Sequence, residues 1–251
     1  MSWAPEKLRL LLCASAVLGA LVFAACGDSG DETATGSSSQ TSTPADEELD
    51  ANGYPVNAHV EPQLGVVPEG IELDGREGTP PPAVAESDLE AAAEAGGCDL
   101  ETGLPDEGNT HLDDESVPDV EYGTNPPTSG DHYGNAAETL SGALADGAYL
   151  EYPPLGRIVH SLEHQRVAIQ YSPALSEDDQ LALKGVFDED PAGVLFFPNP
   201  DMPYEVAVTG WTNLLGCDSF QGDATLDAVQ DFRDSFRGPQ GDGPEPIPLQ
   251  L

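Results

Sequence analysis

The sequence predicts an α+β fold: a small antiparallel or mixed sheet, two or three helices and one disulfide. Three observations carry this. Short β-rich runs recur after residue 147, bounded by Gly, Pro and Asp. Between them lie segments whose apolar residues repeat with helical period. An even pair of cysteines, Cys98 and Cys217, remains once the N-terminal segment is set aside.

In chain order, residues 1–25 read as a signal peptide. Lys7 and Arg9 precede an uncharged, mostly apolar run from Leu10 to Ala25. That run is short for a membrane-spanning helix and of the length expected for an export signal. It ends Val22-Phe23-Ala24-Ala25-Cys26, small residues before a Cys. This resembles a bacterial lipobox, in which the Cys becomes the lipidated, palmitate-bearing first residue. The expected location is therefore the extracytoplasmic face of a bacterial cell membrane, with Cys26 as the lipid anchor.

Residues 26–52 are rich in Ser, Thr, Gly, Asp and Glu and nearly devoid of apolar side chains, and so read as a disordered acidic linker. Residues 53–86 form an extended Pro/Gly-rich arm. The globular domain is placed at 87–240. It opens with a helix over Ser87–Ala95, with Ser87 as N-cap and Gly96-Gly97 as the stop. Strands follow at 148–152, 157–160 and 167–171. Ser176 opens a helix carrying Leu181, Leu183 and Val186. Strands at 193–197 and 205–211 and a helix over Asp223–Phe236 complete it. Residues 241–251, rich in Pro, read as a flexible tail.

The chain has 251 residues, with 46 acidic against 8 basic side chains and a net charge of −38. This excludes a basic groove for nucleic acid, because phosphate binding needs clustered Lys and Arg. It likewise excludes charge-driven adhesion to anionic lipid. The partners expected are the membrane, through the lipid, and an envelope protein. Cys98 and Cys217 have two uses open to them: a disulfide, the default in an oxidising compartment, or a pair of thiolate metal ligands.

Several motifs stand out: Asp106-Glu-Gly-Asn-Thr-His111, Thr124-Asn-Pro-Pro-Thr-Ser-Gly-Asp-His132, Val159-His-Ser-Leu-Glu-His-Gln-Arg-Val167, Phe197-Pro-Asn199 with Met202-Pro-Tyr204, and Trp211-Thr-Asn-Leu-Leu-Gly-Cys217. Together they resemble the bacterial family called domain of unknown function 3105, over roughly residues 70–240. Asp131 stands where that family usually has Pro, and Gln165 where it usually has Gly. The resemblance implies a secreted or membrane-attached domain and no established activity.

Four of the five histidines, His111, His132, His160 and His164, fall in these motifs. A helix would stack His160 and His164 on one face, the spacing that metal sites use. The flanking β-formers instead predict strand, turn and strand; the turn can also bring the two together, whereas a straight strand would leave them about 13 Å apart. Neutral imidazole suits Zn or Cu. The leading expectation is a transition-metal site of His132, His160 and His164, with His111 as a fourth ligand or a supporting partner. Glu163 would orient a ring or act as base, and Met202 is a candidate soft ligand that would favour copper. The alternative is a metal-free envelope interaction or scaffold module with structural histidines. A third reading is a metal-dependent hydrolase: His160-Ser-Leu-Glu-His164 matches the H-x-x-E-H pattern of inverted zinc proteases, which requires a helix. No G-x-S-x-G elbow and no phosphate-binding Gly loop is present.

Overall fold

The run Val167-Ala-Ile-Gln-Tyr171 is buried at every position and forms β5, the strand between the two halves of the main sheet. A computed structural model describes residues 65–85, 88–113, 120–134, 142–247 and 249, all within one unit, Pro44–Leu251. The expected signal peptide, Cys26, the linker, the start of the arm, Ser87 and His59 lie outside the described residues.

Six strands build the mixed sheet: β1 (Cys98–Glu101), β4 (Gly147–Ala148), β5 (Val167–Tyr171), β6 (Val194–Pro198), β7 (Val206–Gly210) and β8 (Asn213–Cys217), in the order β1-β8-β7-β5-β6-β4. From β1 to β5 the pairs are antiparallel; β5–β6 and β6–β4 are parallel. A second, two-stranded sheet pairs β2 (His111–Leu112) with β3 (His132–Tyr133) in parallel. The helices are α1 (Leu89–Gly96), α2 (Leu155–Glu163), α3 (Glu177–Glu189) and α4 (Asp223–Phe236).

Strand alternation sends side chains to two cores. Val167, Ile169, Val194, Phe196, Val206 and Val208 pack with α1, α3 and α4. Ala168, Leu195, Phe197 and Trp211 pack with Ile158, Val159 and Leu162 of α2 on the other face. α3 starts as its sequence requires: the Ser176 hydroxyl caps it by accepting from the Asp179 N–H, and three acids fill the first turn. α1 is capped by Asp88, whose carboxylate accepts from the Ala91 N–H, and stops at Gly97 with φ +65°.

The segment 157–160, expected as a strand, is part of helix α2. Leu155, Ile158, Val159 and Leu162 recur at i, i+3, i+4 and i+7, one helical face, and that face is what packs on the sheet. Periodicity outweighs the β propensity of Ile-Val here because burial, not intrinsic preference, supplies most helical stability in proteins. The helix ends in a Schellman turn: the Gln165 N–H donates to the Leu162 carbonyl, and the Arg166 N–H to that of Ser161. Gln165 occupies the left-handed position at φ +62°, where glycine is the usual residue.

β8 escapes sequence reading for a related reason. Its hairpin with β7 turns on Trp211-Thr212, with Gly210 opposite Asn213. Such a turn is normally announced by Asn-Gly or Asp-Gly. Here Thr212 takes φ +58°. Its peptide is held on both sides: its N–H donates to Thr128, and its carbonyl accepts from Leu104. Across β1 and β8, Cys98 faces Cys217 in register, and the two form a disulfide. The bridge spans 119 residues of sequence. Chain-entropy models value such a loop at about 5 kcal/mol at most.

Two irregular segments lie on this frame. In the Pro/Gly-rich arm, Val66 bridges to Leu144 and Leu73 to Tyr149. The stretch read from composition as a flexible tail is, over residues 241–247, held against the C-terminal end of α2. Gly241 and Gly243 carbonyls accept from Gln165 Nε2, and the Ile247 carbonyl accepts from Arg166. Its Pro and Gly residues keep it out of regular structure, which leaves its carbonyls free to receive these donors.

Gln165 therefore has two opposing effects: a strained backbone and a side chain that ties down the C-terminal strap. Replacing it with Ala or Gly removes the same two hydrogen bonds, but only Gly relieves the left-handed strain. Gln165→Gly should be more stable than Gln165→Ala by about 1 kcal/mol in urea unfolding. Equal stabilities would show that the backbone at Gln165 is unstrained.

Candidate metal centre

Three elements deliver one cluster of side chains. The parallel β2–β3 pair sets His111 directly opposite His132. Helix α2 presents His160, Glu163 and His164 at i, i+3 and i+4, on one face. The ring centroids of His111, His132 and His160 lie 4.7–4.9 Å apart, and His164 stands 4.7 Å from His160. Two glycines let the backbone come this close. A side chain at Gly134 would strike the His111 ring, and one at Gly142 would strike His160 Nδ1.

Each of three rings is anchored through Nδ1. His132 Nδ1–H donates to the Gly130 carbonyl (2.8 Å), His160 to Tyr133 (2.7 Å) and His164 to Glu245 (2.8 Å). A carbonyl only accepts, so Nδ1 carries the proton and the neutral ring keeps its lone pair on Nε2. Metal-binding histidines are held in this way, with the far nitrogen fixing tautomer and orientation.

At the centre stands the Glu163 carboxylate, fully buried. Its Oε2 lies 3.0 Å from His111 Nε2 and 3.1 Å from His132 Nε2. The His132 contact sets an electrostatic condition. Its Nδ1 faces a carbonyl and its Nε2 a carboxylate oxygen, so both nitrogens need a positive partner or a proton. Either the ring is an imidazolium paired with Glu163 or a cation is shared between them. The remaining polar atoms, His160 Nε2, His164 Nε2 and Glu163 Oε1, are buried with no hydrogen-bond partner among the described residues. Buried polar atoms are normally satisfied, so three orphans around one carboxylate call for a ligand.

The electrostatics keep these groups in ligating form. Burial, together with the neighbouring imidazoles of His164, His132 and His111, pushes the His160 pKa down to about 3 against the bond to Tyr133. Burial alone would raise Glu163, but the contacts from His132 and His111 together outweigh it and hold its pKa at about 2. Burial also lowers His164, opposed by its bond to Glu245 and by the Glu163 charge. At neutral pH, His160 is thus a neutral donor and Glu163 an anion.

One ligand atom from each of His111, His132, His160 and Glu163 lies within 4.8 Å of the others, a set that could hold a metal ion. A second such set is Glu163, His164 and Glu245. The donors fit a borderline transition metal: three imidazole nitrogens and one carboxylate oxygen, two of the rings with their second nitrogen tied back. His111 keeps 18% of its side chain exposed while His132 and Glu163 keep none, so solvent reaches the set from the His111 side.

The expected residues are thus distributed unevenly. His111 joins His132 and His160 in one set, whereas His164 belongs to the other. Glu163, read as an orienting residue or base, is itself shared by both. Its role differs from that in the inverted zinc protease pattern. The helix is present, but two further histidines engage the Glu. Met202 is half-buried between β6 and β7, and the four-group set is complete without it. Cys98 and Cys217 are bonded to each other, so they are not thiolate ligands. Glu245 was not legible: it sits alone in a Pro-rich stretch, with no periodicity to aim it.

No curated protein and no solved structure matches the chain. The matched family profile covers residues 114–247, which takes in His132, the whole of α2 and Glu245 and leaves His111 just outside. The chain belongs to the family described as protein of unknown function (DUF3105).

Proposed function

We propose that this domain binds a transition-metal ion, zinc or copper, through His111, His132, His160 and Glu163, and does so at the extracytoplasmic face of a bacterial membrane, anchored by a lipid on Cys26. The observation that carries the metal reading is the convergence of Nδ1-anchored imidazoles on a buried carboxylate whose Oε1 has no partner among the described residues. The apolar run ending in Ala-Ala-Cys26 motivates the location. The acidic surface would concentrate cations around the entrance.

Elemental analysis of the purified full chain tests the metal directly. Zinc should be retained through gel filtration. Glu163→Gln, which keeps the side-chain volume and removes the charge, should weaken binding by at least about 100-fold, since loss of a residue that only supports a ligand already costs about 10–100-fold. Absence of uptake by the wild-type chain would leave an imidazolium–Glu163 ion pair and favour the scaffold reading.

Without metal, the site should make the domain acid-sensitive. The folded His160 pKa, about 3, lies below the ordinary value of 6.5. The unfolded chain therefore binds more protons between those limits, and stability falls as pH drops from about 6.5 toward 3. Each such group contributes a slope of about 1.4 kcal/mol per pH unit. His164 adds to it, and Glu163, lowered from 4.5 to about 2, adds its share below pH 4.5. Urea unfolding of the apo domain at pH 7.5 and 4.5 should show a loss that His160→Asn reduces by about 2–3 kcal/mol, the share of that one group. An unchanged difference in that variant would mean that His160 does not stay neutral.

The anchor is tested separately. Mass spectrometry of the mature protein should find an acylated Cys26 at its N-terminus, and Cys26→Ala should release the protein from membranes. An unmodified terminus at another residue refutes the assignment.

A further inference from the structure

We propose that the centre holds two metal ions bridged by the Glu163 carboxylate, the second ion taken by His164 and Glu245. This rests on the reading of the first site above and extends it.

The two ligand sets share Glu163. Its two oxygens face different surroundings: Oε2 meets His111 and His132, and Oε1 meets no partner among the described residues. A carboxylate that gives one oxygen to one set and keeps a second, unpartnered and buried, is arranged as a bridge. His164 supplies the second independent observation. It is 2% exposed, its Nδ1 is tied to the Glu245 carbonyl, and its Nε2 has no partner among the described residues. Nothing in the first set uses that lone pair.

The C-terminal strap completes the second set. The Glu245 N–H donates to the Glu163 carbonyl and the Glu245 carbonyl accepts from His164, so two backbone bonds seat the residue whose carboxylate joins the set. Arg166 places a guanidinium near His164, but its Nε pairs with Asp146 at 3.2 Å, which offsets that charge. The donor sets differ in kind. The inner one has three nitrogens and one oxygen; the outer has one nitrogen and two oxygens and is partly exposed through Glu245. The outer ion is therefore bound by harder ligands, keeps water in its remaining positions and is held more weakly. Two-metal sites of this kind, with ions about 3.5–4 Å apart, clamp and activate oxygen ligands between them.

Glu245→Gln separates the two sites, because it leaves both backbone bonds of the strap intact. Equilibrium dialysis of the full chain against zinc, read by elemental analysis, should give two ions per chain for the wild type and one for Glu245→Gln. One ion in both overturns the bridged pair and leaves the single site standing. Two ions in both overturns the assignment of Glu245. None in either overturns the first site as well. A second measurement covers a variant that misfolds: on titrating the wild-type chain with Cu(II), the electron paramagnetic resonance signal per copper should fall as the second equivalent is added, through exchange across the carboxylate. A constant signal per copper overturns the bridge.

Discussion

A carboxylate with no access to water, at the last residue of a helix, is the constraint around which the rest of this domain is arranged. Glu163 is ionised and fully buried, and such a charge is tolerated only when it is paired and hydrogen-bonded. The partners come from far away in sequence: His111 and His132 by way of a two-residue parallel pairing, and the end of the chain by way of its backbone. Neither short pairing would persist as an isolated element. Each is fixed because it docks on α2, and α2 is fixed because its apolar face lies on the main sheet. The site thus inherits its rigidity from the core beneath Ile158, Val159 and Leu162.

The two faces of the sheet divide the labour. One face is covered by α1, α3 and α4 in an ordinary apolar core, with the Cys98–Cys217 bridge at its edge. Among the described residues the other carries one helix, α2, and the space beside it is filled by loops rich in Gly, Pro and His. Loops on a rigid scaffold are where binding chemistry is usually found, because they vary freely while the frame keeps their ends in place.

What the sequence made legible follows from this division. β5, α3 and α4 could be read directly, since their patterns obey one period and their partners are generic apolar surfaces. α2 carries two conflicting signals: the helical spacing 155, 158, 159, 162 and the β propensity of Ile-Val. β2, β3 and β8 were not legible, because two-residue pairings and a Trp-Thr turn carry no periodic signal. At the site, the histidines stood out by residue type and motif. The meeting of His111 with His132 depends on register between segments 21 residues apart, which no local pattern specifies. Glu245 depends on where an irregular strap happens to lie.

That strap has a kinetic consequence. Synthesis is vectorial, and residues 241–247 leave the ribosome after the rest of the cluster. Until they do, His164 Nδ1 lacks the Glu245 carbonyl, and Gln165 Nε2 lacks those of Gly241 and Gly243. The inner imidazoles and Glu163 are all present in the nascent chain earlier, so the cluster can assemble as an open bowl before its wall arrives. Closure then follows assembly of the inner cluster, and reopening needs only the strap to peel away while the sheet and both cores stay intact. Local openings of this kind cost far less than global unfolding. Exchange of whatever the outer set holds would follow the breathing of the strap that carries Glu245, not the stability of the domain.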